Sequence, residues 1–307
     1  MAYLRALAFV LAMTGAFVFF VPVQWLARRR GWAMRHGVQT GFCRTMCAII
    51  GIEVREHGRP PEAAPRFIVA NHVSWTDIIA LASRYPLVFL AKREVAFWPV
   101  LGFLARLQGT VFVDRGNRRA IPIVNAALAE RLGAGDDVVV FAEGTSSDGS
   151  GVLKFNASHF AMLTDLAEDG AAPVLAPAAI VYASRKRGEA GGFDAGWYGD
   201  MTFLPHLWSL MKRGGAKCHI LWGEAVDPRA GDRKALAQAT EQRVRALLER
   251  GVAKGGETAP SNERRPRGEL TFPIRLRHPS RLSRSRRTPP RHRPREQKLS
   301  SNPTAAR

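Results

Sequence analysis

His72 and Asp77, five residues apart in the stretch NHVSWTD at 71–77, have the types and spacing of a catalytic pair. The imidazole is the one side chain there that changes protonation near neutral pH, which suits a general base. An aspartate about one helical turn further on can reach back to one ring nitrogen, fixing the tautomer and leaving the other nitrogen to take a proton. With no cysteine or elbow serine beside it, such a pair would activate a hydroxyl on the substrate. No G-x-S-x-G occurs in the chain, which counts against a serine esterase. Taken alone, a histidine with an aspartate nearby is more often structural.

Two further clusters change that reading. In FVDRGNR (112–118), Arg115 is placed to meet an anion or a carboxylate. In FAEGTSSDG (141–149), Glu143 can hold Arg115 or a substrate hydroxyl, and Gly144 lets a substrate approach the backbone beside Thr145. All three clusters follow apolar, β-rich runs: RFIVA (66–70), GTVFV (109–113) and DVVVFA (137–142). PLVFLA (86–91), APVLAPAAIVY (172–182) and AKCHILWG (216–223) read as further strands. Helical patterns lie between them, from about Trp75 to Ser83, over AIPIVNAALAERL and over ASHFAMLTDLAE, with the apolar FWPVLGFLARL (97–107) between two strands. The alternation predicts an α/β fold, a mostly parallel sheet with flanking helices whose polar clusters gather at the strand ends.

In this order the clusters resemble the glycerolipid acyltransferases, the group that includes 1-acylglycerol-3-phosphate acyltransferase. The family's blocks N-H-x4-D, F-x-x-R, F-P-E-G-T-R and V-x-P stand here as Asn71-His72 with Asp77, Phe112 to Arg115, Phe141 to Ser146, and Val174 to Pro177. The match covers roughly residues 35–225; its first three blocks are specific and its fourth is weak. The resemblance implies that a lysolipid hydroxyl attacks a fatty acyl thioester on acyl carrier protein or coenzyme A, with no other cofactor. His72 would deprotonate the hydroxyl and Asp77 would orient His72, with no acyl-enzyme. Asn71, Arg115, Glu143, Gly144, Thr145 and Ser146 would bind the substrate.

Two positions depart from the family pattern. Ser146 replaces the arginine after E-G-T, and Phe155-Asn156 replaces an F-K pair, although Lys154 lies close by. Those basic groups are natural partners for an acceptor phosphate. Their absence weakens the case for lysophosphatidate. The blocks EGTSSDG and AGWYGDMTFLPHLW (195–208) are similar to the branch that acylates lyso-ornithine lipid, and both acceptors stay open. Asp148 or Asp200 could meet an ornithine ammonium; Asp148 equally reads as a turn residue before Gly149.

The remaining sequence bears on the setting. Ala6 to Ala27 carries no charged residue, and as a helix would span roughly 33 Å. Arg28, Arg29, Arg30 and Arg35 follow, against Arg5 before it, which places the C-terminal side in the cytoplasm. The expectation is a retained anchor in the inner (cytoplasmic) membrane with the catalytic domain facing the cytoplasm. A cleaved signal peptide competes less well, since the run is long and charges follow it. Pro22 permits a re-entrant turn. VQTGFCRTMCAIIGI (38–52) reads as an amphipathic helix lying on the membrane or packed on the domain. Cys43, Cys47 and Cys218 fit neither a disulfide framework nor a zinc site, so no metal is expected.

The net charge of +19 is concentrated at the end: residues 251–307 hold 15 of the 45 Lys and Arg and 4 of the 26 Asp and Glu. That Arg/Pro-rich stretch reads as a disordered basic tail, either solvated or touching an anionic surface. The expected organisation is an anchor at 1–30, an amphipathic helical segment at 31–60, an acyltransferase domain at 61–250 and the tail at 251–307. Expected partners are the acyl thioester, the lysolipid and the bilayer, with no specific nucleic acid. The alternative from another class is a membrane-tethered nucleic-acid or anionic-lipid binding protein that works through its tail. A thioesterase, with water replacing the lipid, is a third.

Overall fold

The computed structural model describes residues 1–32, 34–170, 172–184 and 195–255. Its centre is a seven-stranded sheet in the order β1-β7-β6-β2-β5-β3-β4. The strands are β1 (Glu53–His57), β2 (Arg66–Ala70), β3 (Leu87–Lys92), β4 (Val111–Val113), β5 (Asp137–Phe141), β6 (Val174–Ala183) and β7 (Lys217–Trp222). Every neighbouring pair is parallel except β6 with β7. The expected α/β architecture with a mostly parallel sheet is therefore present.

Alternating side chains of the central strands feed two cores, as a strand's period of two requires. Phe67, Val69, Val138 and Val140 face α6 (Ile121–Gly133), α7 (Ala161–Glu168) and α9 (Arg233–Gly255), meeting Leu128, Leu163 and Leu247. Ile68, Ala70, Val139 and Phe141 face α3 (Met34–Ile50), α4 (Thr76–Ala82) and α8 (Phe203–Arg213), meeting Ile50, Leu81 and Leu210. Cys43 and Cys47 turn into this second core, so α3 packs on the domain, the second of the two placements open for it. Burial pushes both thiols up to about 12, the state of inert core cysteines.

The boundaries differ from those read off the sequence. Glu53–His57, inside the expected helical segment, is an edge strand parallel to β7. At the other end α9 runs to Gly255, past the expected boundary at 250. Residues 256–307, most of the expected tail, lie outside the described residues. At the N-terminus, α1 (Ala2–Gly15) and α2 (Val21–Arg29) join through a π turn into one 28-residue helix. It lies along the domain: Tyr3 meets Trp208 edge to face, Phe17 stacks on Phe103, and Gln24 donates to Gln108 at 3.2 Å.

Register sets up the site. Ala70 pairs with Phe141, so His72 and Glu143 each stand two residues beyond the last pair of adjacent parallel strands. Ala70 also pairs with Ala178, and β6 continues to Ala183 past the end of β2. Tyr182 is thereby carried to the level of the loop after β2.

Candidate active site

His72 leaves the carboxyl end of β2 and stacks on Phe141 of β5, ring centroids 4.1 Å apart. Its Nδ1 lies 2.8 Å from Asp77 Oδ2. Asp77 sits in the first turn of α4 and is wholly buried, a position an ionised carboxylate tolerates only when its lone pairs are used. They are: Oδ2 also accepts the backbone N–H groups of Val73 and Ser74 at 2.8 and 3.0 Å, and Oδ1 accepts the Tyr182 hydroxyl at 2.8 Å. An acceptor-only carboxylate makes Nδ1 the protonated nitrogen. Nε2 then carries the lone pair, and it has no hydrogen-bond partner among the described residues.

Tyr182 was not singled out by sequence reasoning, which read it as the end of a strand. Its hydroxyl lies 2.7 Å from Thr76 Oγ1. Because the phenolic proton goes to Asp77, the threonine hydroxyl donates to Tyr182, and a short polar chain runs Thr76 to Tyr182 to Asp77 to His72. The one available signal was a tyrosine closing an apolar strand, since a buried phenol needs a partner.

Glu143 does not hold Arg115. Its Oε2 accepts the backbone N–H of His72 at 3.1 Å and its Oε1 that of Leu153 at 3.0 Å, tying the loop after β2 to the loop after β5. Burial pushes its pKa up to about 7, against the pull of those two donors. Gly144 has φ +75°, and a Cβ built there meets nothing within 4 Å, so the backbone is open to a ligand. Thr145 is exposed beside it.

Asn71 also differs from expectation. It is fully buried and both amide atoms are engaged with the Ile180 backbone, Nδ2 to the carbonyl at 3.0 Å and Oδ1 from the N–H at 2.7 Å. It extends the ladder between β2 and β6 by a side chain and holds the strand end that carries His72. Ser146 Oγ donates to the Trp197 carbonyl, while the Trp197 N–H donates to the Val73 carbonyl at 2.9 Å. Trp197 thus ties the segment 195–200 to the loops after β2 and β5. Asp148 has the turn role: its Oδ1 accepts the Ser150 N–H and hydroxyl at 2.9 and 2.7 Å. Asn156, in the place of the expected lysine, accepts the Ser158 N–H at 2.9 Å and starts a short 3-10 turn; Lys154 is exposed.

The structure gathers His72, Asp77, Glu143, Gly144 and Ser146 on the ends of β2 and β5. Arg115 stands apart, at the end of β4, with β5 and β3 between that strand and β2. It is exposed, has no hydrogen-bond or ion-pair partner among the described residues, and lies within electrostatic reach of Glu94 and His159. Burial and then Arg115 pull His159 down to about 4, so it is neutral at pH 7. His159 and Asn125, 2.8 Å apart, escaped the sequence reading altogether. Among the described residues no cluster of three or more His, Cys, Asp or Glu could hold a metal ion.

With this geometry in place, the comparisons carry the chain's affiliation. Residues 51–181 match the family described as Acyltransferase. A lyso-ornithine lipid O-acyltransferase of Brucella abortus is 39% identical over 255 residues, covering 80% of this chain and 94% of that protein. A 1-acyl-sn-glycerol-3-phosphate acyltransferase of Neisseria meningitidis is 36% identical over 202 residues, covering 65% of this chain and 75% of that one. The crystal structure of the 1-acyl-sn-glycerophosphate acyltransferase from Thermotoga maritima superposes with a TM-score of 0.53 at 20% identity. It covers 82% of this chain and 98% of that one, and so shares the fold. A sheet edge assembled from the H-x4-D and E-G-T blocks, with a relative 39% identical along 94% of its length, places the chain in the glycerolipid acyltransferase family: the protein is an acyltransferase.

Proposed function

We propose that the protein transfers a fatty acyl chain from an acyl carrier protein or coenzyme A thioester to the free hydroxyl of a lysolipid, with lyso-ornithine lipid as its acceptor. The observation that carries the mechanism is the His72 imidazole, with Nδ1 fixed to a buried carboxylate and Nε2 left without a partner among the described residues. Nε2 takes the hydroxyl proton as the oxygen attacks the thioester carbonyl carbon. The tetrahedral intermediate collapses, the C–S bond breaks, and the departing thiolate recovers the proton from the imidazolium. Asp77 stabilises the transient cation without itself being protonated. Gly144 and Thr145 line the open backbone beside His72 and suit the acceptor.

Two observations support a phosphate-free acceptor. Ser146 is engaged with the Trp197 carbonyl, and Asn156 caps a turn, so neither supplies the cation that a phosphate would use. Arg115 remains for a carboxylate, and exposed Asp200 for an ammonium. The relatives named for lyso-ornithine lipid point the same way.

The membrane association follows from the apolar face of the long N-terminal helix. Leu4, Leu7, Val10, Leu11, Val18, Phe19 and Phe20 are exposed, and Phe97, Val100, Phe103 and Leu204 of the domain are exposed as well. Arg5 donates to the Ile50 carbonyl at 3.3 Å and to the Met211 carbonyl at 3.5 Å, so the start of the helix is held on the domain. Such a helix enters the cytoplasmic face of the inner membrane alongside the catalytic domain and does not carry Arg5 across. A monotopic seat of this kind presents the active site to lipid substrates.

The test is a paired assay of the membrane fraction with acyl carrier protein thioester and either lyso-ornithine lipid or lysophosphatidate. Turnover confined to lyso-ornithine lipid is expected. Turnover confined to lysophosphatidate would assign the phosphate to Arg115 and Lys154 and overturn the acceptor reading.

A further inference from the structure

Phe141 presents the face of its ring to the His72 imidazole. Ala70 of β2 pairs with Phe141 of β5, and both side chains turn into the second core. His72 stands two residues beyond Ala70, so its ring comes back over Phe141 on the same face of the sheet. The ring centroids are 4.1 Å apart and the planes lie within 11° of parallel. That is closer than the ~4.5–7 Å usual for aromatic pairs, which avoid a face-to-face stack because both faces carry negative charge density. Phe141 is itself held in place: it is buried, and the buried Phe89 of β3 stacks against it, centroids 6.4 Å apart.

We infer that Phe141 is a positioning residue for acyl transfer, setting the plane of the His72 imidazole and stabilising the imidazolium that forms when Nε2 takes the hydroxyl proton. The inference rests on the reading of His72 as general base and deepens it. Asp77 holds the imidazole at one atom, Nδ1, and a single hydrogen bond leaves the ring free to turn about that bond. A ring laid flat on Phe141 has lost that turn, so the direction of the Nε2 lone pair is fixed before substrate arrives. The second effect is electrostatic. The face of a phenyl ring attracts a cation lying within about 6 Å of its centroid. The imidazole gains its positive charge only as the proton arrives, so the attraction grows along the reaction and lowers the barrier without tightening substrate binding. The end of β5 therefore grips His72 twice, at its backbone N–H through Glu143 and at its ring through Phe141.

Fluorination of the ring tests this, because fluorine withdraws electron density from the face with little change of shape. Mono-, di- and trifluorophenylalanine are placed at position 141 of the full-length protein by codon suppression. Acyl transfer is followed in single turnovers in the membrane fraction, with whichever lysolipid the wild type acylates. The rate should fall stepwise with fluorine number, by about fivefold for the trifluoro ring, while the steady-state KM for the lysolipid and the thermal midpoint stay unchanged. Phe141→Leu, which loses the flat face as well, should be slower than the trifluoro protein. Equal rates across the fluorinated series, or a fall that follows a lowered thermal midpoint, would overturn the inference. A Phe141→Leu rate at or above that of the trifluoro protein would overturn the plane-setting role. Turnover retained by His72→Ala would overturn the base reading and this inference with it, whereas a dead His72→Ala beside a flat fluorine series overturns the inference alone.

Discussion

Tyr182 donates its phenolic proton to Asp77 at 2.8 Å, on the carboxylate oxygen that His72 does not use. The tyrosine reaches that position because β6 extends beyond the end of β2. The aspartate is thereby held from both sides, and its orientation toward the imidazole is set before substrate arrives. Tyr182→Phe should lower kcat about tenfold, the worth of one buried hydrogen bond to a charged group, with KM for both substrates unchanged. Steady-state kinetics on the two substrates check it; a wild-type kcat would remove Tyr182 from the positioning chain.

Asn71 adjoins His72, yet among the described residues its side chain bonds only to the backbone of Ile180. Asn71→Ala leaves a buried N–H and a buried carbonyl unpaired, and should cost about 2–4 kcal/mol of stability. Urea unfolding measures the loss. KM of the folded fraction should not move; a raised KM with intact stability would restore Asn71 as a substrate contact.

Glu143 gives the folded protein a pH dependence. Its pKa of about 7 lies above the ordinary value of 4.5, so between those limits the folded chain holds a proton that the unfolded chain has lost. This contribution is fully present below about pH 4.5 and is lost as the pH rises through about 7. The wild-type urea midpoint should therefore fall more between pH 5 and pH 8 than that of Glu143→Gln. The variant should be less stable overall, because an amide oxygen cannot serve both the His72 and Leu153 N–H groups as a carboxylate does. Equal slopes would contradict the raised pKa.

The last helix bounds the part of the chain that turnover needs. Arg245 donates to the Val152 carbonyl at 2.9 Å and Glu241 accepts the Phe155 N–H at 2.9 Å, so α9 supports the loop that Glu143 also holds. Removing residues 256–307 should preserve turnover, whereas a cut before Glu241 should abolish it. Loss of acyl transfer on the shorter deletion would show that turnover needs residues beyond α9.

Much of this was legible in the sequence because parallel strands buried on both faces write continuous apolar runs, and polar residues that interrupt them mark strand ends. RFIVA, DVVVFA and the clusters after them located β2, β5, His72 and Glu143. Roles were harder to read than positions. Asn71 adjoins His72 in sequence and Glu143 follows a different strand, but their partners are backbone groups set by the 70–178 and 70–141 registers, which no local pattern reveals. Tyr182 lies more than a hundred residues from Asp77, and only the excess length of β6 joins them. Glu53–His57 escaped because an edge strand with EVREH lacks an apolar run. Arg115 was expected beside the catalytic pair, yet the order β2-β5-β3-β4 sets it on the outermost strand.

The most direct test of the central claim is acyl transfer from a labelled acyl carrier protein thioester to lyso-ornithine lipid by His72→Ala beside the wild type, with equal amounts of folded protein in each membrane fraction. With His72 as the general base, turnover falls by about a thousandfold or more. Turnover within tenfold of the wild type would contradict His72 as the base and the His72–Asp77 mechanism with it.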